Sequence, residues 1–79
     1  MILPRFFLNI RRRGVLIRDE EGDELPDLEA ARALALDILR DMQRLPHVYG
    51  SAREWKRNVF VITGESGLVL AEIPYDTLL

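Results

Sequence analysis

Residues 27–45 read DLEAARALALDILRDMQRL. Leu28, Ala31, Ala35, Ile38, Met42 and Leu45 recur at alternating intervals of three and four, and Leu34 and Leu39 widen the stripe. That period places them on one face of an α-helix. Asp27 precedes the first apolar position and is the natural N-cap, because its carboxylate can accept from the free amides of the first turn. Glu29 complements the positive end of the helix dipole, and Arg40 and Arg44 complement the negative end. Pro46 stops the run. The spacing predicts one amphipathic helix, and everything else in the chain is shorter than it.

Before the helix, RFFLNIRR (5–12) and VLIR (15–18) are separated by Arg13 and Gly14. A two-residue connection ending in glycine signals a β-hairpin, since Gly14 can take the positive φ of a tight primed turn. After the helix, PHVYGSAREWKR (46–57) has no sustained period and reads as a loop, with one helical turn at SAREW. NVFVIT, the turn GESG and LVLAEIPY then form a second hairpin, which Pro74 ends. The order is ββαββ. It predicts an α+β fold for residues 1–79: a single two-layer domain with a four-stranded antiparallel sheet and one helix across one face.

The strands are apolar on both sides. Phe6, Leu8 and Ile10 alternate with Phe7, and Val59 and Val61 alternate with Phe60 and Ile62. One helix covers one face, so the expectation is that Phe7, Leu16, Phe60, Ile62 and Leu70 form a second apolar face that serves as an interface in a homodimer. The alternative is that strand twist and the 46–57 loop, with Tyr49 and Trp55, cover these residues.

Seventy-nine residues bury roughly 60–65% of the surface that the unfolded chain exposes, which leaves a small core. Without cysteine there is no disulfide or thiolate metal site to support it. No stretch approaches the ~20 apolar residues of a membrane span, and the apolar start is interrupted by Pro4, Arg5 and Asn9. A soluble, cytoplasmic protein without a membrane role is expected. The net charge of −2 conceals segregation: residues 1–18 carry five arginines and no acid, and residues 19–29 carry seven acids and no base. Such blocks imply a dipolar surface or mutual pairing.

The acidic stretch, DEEGDELPDLE (19–29), contains the candidate metal ligands Asp19, Glu21, Asp23 and Glu24 around Gly22. Oxygen-rich loops of this kind can hold Ca²⁺ or Mg²⁺, although glycine comes fourth here rather than sixth as in an EF-hand loop. Read structurally, Gly22 turns the chain, Leu25 staples the helix entry, Pro26 stiffens it and Asp27 caps it. Glu24 is then available to pair with Arg32 or with an arginine of the first hairpin. Neighbouring acids on one exposed loop share one environment, which gives no basis for the split pKa values that acid–base catalysis requires. His47 and Ser51 lie in a loop with no orienting acid, so no catalytic set is expected, and no cofactor either. Arg11, Arg12 and Arg13 at the hairpin tip, with Trp55, Lys56 and Arg57, form a candidate nucleic-acid surface of phosphate contacts and one stacking ring.

As a set, PRFF near the start, Asp19, Gly22, Glu24, Leu25, Asp27, Leu28, Ala31 and Arg32 at their mutual spacing, and Trp55, Gly67 and Pro74 resemble a family of short bacterial proteins known as a domain of unknown function. Its signature here is D-x-x-G-x-E-L-x-D-L-x-x-A-R. Members typically carry a histidine in the first strand, where this chain has Asn9, and an acidic or Asp-Gly hairpin where it has RRRG. The resemblance implies a small stand-alone bacterial domain and no particular activity. A looser likeness over residues 5–45 is to HicB-type antitoxin domains, without their threonine helix cap; it implies toxin binding. The functional expectation is a non-enzymatic protein–protein interaction or regulatory module with an unidentified protein partner. The alternatives are a nucleic-acid-contacting accessory protein and weak divalent-metal binding at the acidic loop.

Overall fold

The helix forms as its periodicity requires. In the computed structural model, which describes residues 2–78, α1 spans Leu28–Arg44 and Asp27 caps it, its Oδ1 accepting the Ala30 N–H at 2.9 Å. A cap of this type stabilises a helix by about 1 kcal/mol. Ala31, Ala35, Leu39 and Met42 are buried, and the two alanines let the helix backbone approach the sheet closely.

The sheet contains β1 (Arg5–Arg12), β2 (Val15–Ile17), β4 (Val59–Thr63) and β5 (Val69–Pro74), all antiparallel, in the order β2-β1-β4-β5. The expected α+β architecture is therefore present, with α1 packed on β1, β4 and β5. A two-residue strand, β3 (Asp23–Glu24), pairs with Arg5 and Phe6 on the same edge of β1 that β2 occupies further along. Three short elements were not expected: β3, α2 (Pro46–Tyr49) and a 3-10 turn at Tyr75–Leu78. Each is too short to show a period. Pro46 both ends α1 and begins α2, since its fixed φ suits the first position of a helix. The helical turn expected at SAREW is α3 (Ala52–Trp55).

The register corrects the assignment of the sheet faces. Leu8 lies opposite Ile62 and Ile10 opposite Phe60. Residues directly opposite in an antiparallel pair share a face, so Phe60 and Ile62 point at the helix with Phe6, Leu8 and Ile73. They are 3% and 0% exposed and belong to the core. They are not part of an outer interface. Both alternating sets of β4 are apolar, so alternation alone did not show which set faces inward.

The outer face is closed largely by polar groups. Asn9, buried there, donates from Nδ2 to the Val61 carbonyl at 2.9 Å and to Thr63 Oγ1 at 3.0 Å. Arg11 on β1 pairs with Glu72 on β5, spanning the intervening strand β4, where Val61 is buried. Of the expected outer-face residues, Phe7 and Leu16 line one depression of about 440 Å³ with Asn9, while Leu70 lines another near Ile2. They do not make a continuous patch with Phe60 and Ile62.

Candidate functional site

The helix crosses β1, β4 and β5 but leaves β2 uncovered, and an open groove of about 430 Å³ runs between them. Ile10 and Ile17 come from the hairpin, Ile38 and Met42 from α1, and Phe60 from β4. The far wall is aromatic. Tyr75 stacks obliquely against Phe60 and Trp55, with centroids 4.6 and 5.9 Å away. Trp55 Nε1 donates to the Gly50 carbonyl at 3.3 Å, which fixes the indole beneath the α2–α3 segment. The rim is polar, with Arg12, Asp19, Asp23, Glu54 and Asn58. Burial pushes the Tyr75 phenol up from 10.0 to about 12, while the Arg12 guanidinium pulls it the other way.

Arg12, Glu54 and Asn58 also line a second cleft, of about 400 Å³, that adjoins the groove. Arg11, Arg12 and Arg13 form one side, and Arg53 and Arg57 the other. The structure thus brings together four of the candidate nucleic-acid residues: Arg11, Arg12, Arg13 and Arg57. Lys56 does not line the cleft, and Trp55 is buried in the core, where it is not available to stack on a base. Arg53, which the sequence offers only as one of several scattered arginines, lines the same cleft, because the fold brings α3 close to the tip of the first hairpin.

The acidic candidates are not gathered around a common point. Among the described residues no group of three or more histidine, cysteine, aspartate or glutamate side chains is placed to hold a metal ion. Asp19 turns inward, its Oδ2 accepting the Leu8 N–H at 3.1 Å and its Oδ1 accepting the Gly22 N–H at 3.1 Å. Its own N–H donates to Asn9 Oδ1 at 3.0 Å. Glu24 pairs with Arg5 at 2.7 Å, one of the two partners expected from the sequence. Gly22 has φ +69°, and a Cβ there would lie 2.8 Å from Phe7 Cε1 and 2.9 Å from the Phe6 carbonyl oxygen. The acidic stretch is built to fasten the chain against β1.

These features define a small two-layer α+β domain of hairpin–helix–hairpin order, with an apolar groove beside a basic cleft. The chain belongs to the family described as a domain of unknown function (DUF6894), which matches residues 5–76. No match is found among curated proteins or among solved structures. No helix of the described residues is long and apolar enough to cross a membrane.

Proposed function

We propose that this protein is a non-enzymatic interaction module whose groove takes an extended, acidic segment of a partner protein, anchored by one large apolar side chain. The observation that carries this reading is that the two depressions adjoin, with Arg12, Glu54 and Asn58 lining both. An aromatic or aliphatic residue seated in the groove against Ile17 and Tyr49, which are 48 and 45% exposed, gains burial, as interface anchors do. Acidic residues a few positions along then lie among the arginines, whose planar guanidinium groups suit carboxylates.

The test is selection from a displayed random peptide library, followed by fluorescence anisotropy on the enriched peptides. Wild type is expected to enrich sequences with Asp or Glu next to Trp, Phe or Leu. The Arg53→Glu/Arg57→Glu variant is expected to keep the apolar preference and lose the acidic one. Enrichment of basic peptides, or none, overturns the reading. Binding of a labelled single-stranded oligonucleotide more tightly than any peptide, with steep loss as salt rises, would replace it with a nucleic-acid role.

A further inference from the structure

We propose that two copies of this chain join edge to edge through β2, antiparallel, about a two-fold axis at Leu16. Val15, Leu16 and Ile17 are 63, 43 and 48% exposed, and among the described residues no strand pairs with the outer side of β2. Three consecutive apolar residues on an open edge are what monomeric proteins ordinarily avoid by placing a charge, a proline or a bulge there.

The turn fixes which backbone groups are free. Arg13 and Gly14 have φ +53° and +79°, the primed geometry of a two-residue hairpin loop. In such a loop the flanking residues, Arg12 and Val15, are a hydrogen-bonded pair, and bonded and non-bonded pairs alternate along the ladder. Arg11 and Leu16 are therefore a non-bonded pair, and both the N–H and the C=O of Leu16 point away from β1. A second β2 can take both.

One register satisfies the side chains. With Leu16 facing Leu16 of the second copy, Val15 faces Ile17, so three apolar residues meet three. Sliding by two toward the turn sets Leu16 against Gly14 and brings Arg12 toward Arg18. In the favoured register the chain beyond Ile17 of the second copy carries Asp19 and Glu20 past the arginine tip, and symmetry repeats the contact. Among the described residues Arg12, Arg13, Glu20 and Glu21 form no salt bridge within one copy. The segregation of charge along the sequence thus becomes complementarity across the axis.

That axis is perpendicular to the sheet, so both helices lie on the same side of one continuous eight-stranded sheet. Val15 and Ile17 share the helix-facing side with Ile10 and Arg12. They form a floor between the two grooves, which merge into one trough. This assembly does not depend on what the groove binds.

The experiment is sedimentation velocity over a concentration series, with circular dichroism to confirm folding. Wild type is expected to dimerise in the micromolar range. Arg13→Glu and Glu20→Arg are each expected to weaken dimerisation about tenfold or more, and an equimolar mixture to restore it, because each variant then presents the charge that the other needs. Leu16→Pro removes the outward N–H without touching a bond to β1 and is expected to give a folded monomer. A wild type that stays monomeric to high micromolar concentration overturns the proposal. So does a dimer that survives Leu16→Pro, or two weakened single variants that fail to restore one another.

Discussion

The Asp19 carboxylate accepts the backbone N–H of Leu8 at 3.1 Å, where β2 has left the edge of β1 and β3 has not yet joined it. Leu8 lies between the bonded positions Ile10 and Phe6, so its N–H faces the same edge and would otherwise lack a strand partner. A side chain thus stands in for a strand, and Asn9, bonded to both Asp19 and β4, ties it to the centre of the sheet.

Asp19→Ala removes the acceptor of two backbone N–H groups, those of Leu8 and Gly22. Bonds to a charged acceptor contribute about 1.5–3 kcal/mol each, less where water can replace them. A loss of about 2–4 kcal/mol is expected in urea unfolding, together with faster hydrogen exchange at the Leu8 amide. Asp19→Asn should fall between, since its amide can accept from only one of the two donors.

Gly22→Ala meets two obstacles together: a left-handed backbone and contact below 3 Å with the Phe6 carbonyl oxygen. The conformational cost is about 1–2 kcal/mol, and overpacking adds about 1–3 kcal/mol. The expected result is a fall in Tm of more than about 8 °C. An unchanged Tm would refute the close approach.

Arg13 has φ +53° in the first turn, a conformation in which asparagine is among the least penalised residues after glycine. Arg13→Asn is expected to stabilise the monomer by about 0.5–1 kcal/mol. The comparison is made by denaturant unfolding at low protein concentration, where association does not contribute.

Tyr75 predicts a pH dependence. Its phenol is raised to about 12 in the fold by burial, with Arg12 opposing, against 10.0 when free. Between those values the unfolded chain has lost the proton and the folded chain has kept it. The stability contributed by the neutral phenol is therefore complete below pH 10 and is lost as pH rises toward 12. Tyr49→Phe leaves Tyr75 as the sole tyrosine, so phenolate absorbance reports it directly. Its midpoint should be higher in the folded protein than in denaturant; equal midpoints would show that the phenol is not buried.

The main elements could be read from the sequence because their signals are local. The periodicity of Leu28–Met42, the Asp27 cap and the Arg13–Gly14 turn each depend on a few neighbouring residues. The inward side of β4 was not local. Val59 and Val61 compete with Phe60 and Ile62, and only pairing with Leu8 and Ile10 decides between them. On the outer face, the cover over Val61 comes from Arg11 and Glu72, which lie on strands separated in sequence by the whole helix. The basic cleft was half visible, as an arginine tip, while Arg53 and Arg57 reach it only once the second hairpin has docked.

The central pairing of β1 with β4 also bears on synthesis. Asn9 and Val61, bonded across it, are fifty-two positions apart, so the first hairpin and the helix leave the ribosome with no mate for the inner edge of β1. Until the second hairpin follows, the nascent chain carries an unclosed apolar surface, and joining the two halves must overcome the entropy of a long loop. A transcript cut short before Val59 would therefore yield a chain that cannot complete its fold, and quality control would find it with Phe6, Leu8 and Leu39 still in water.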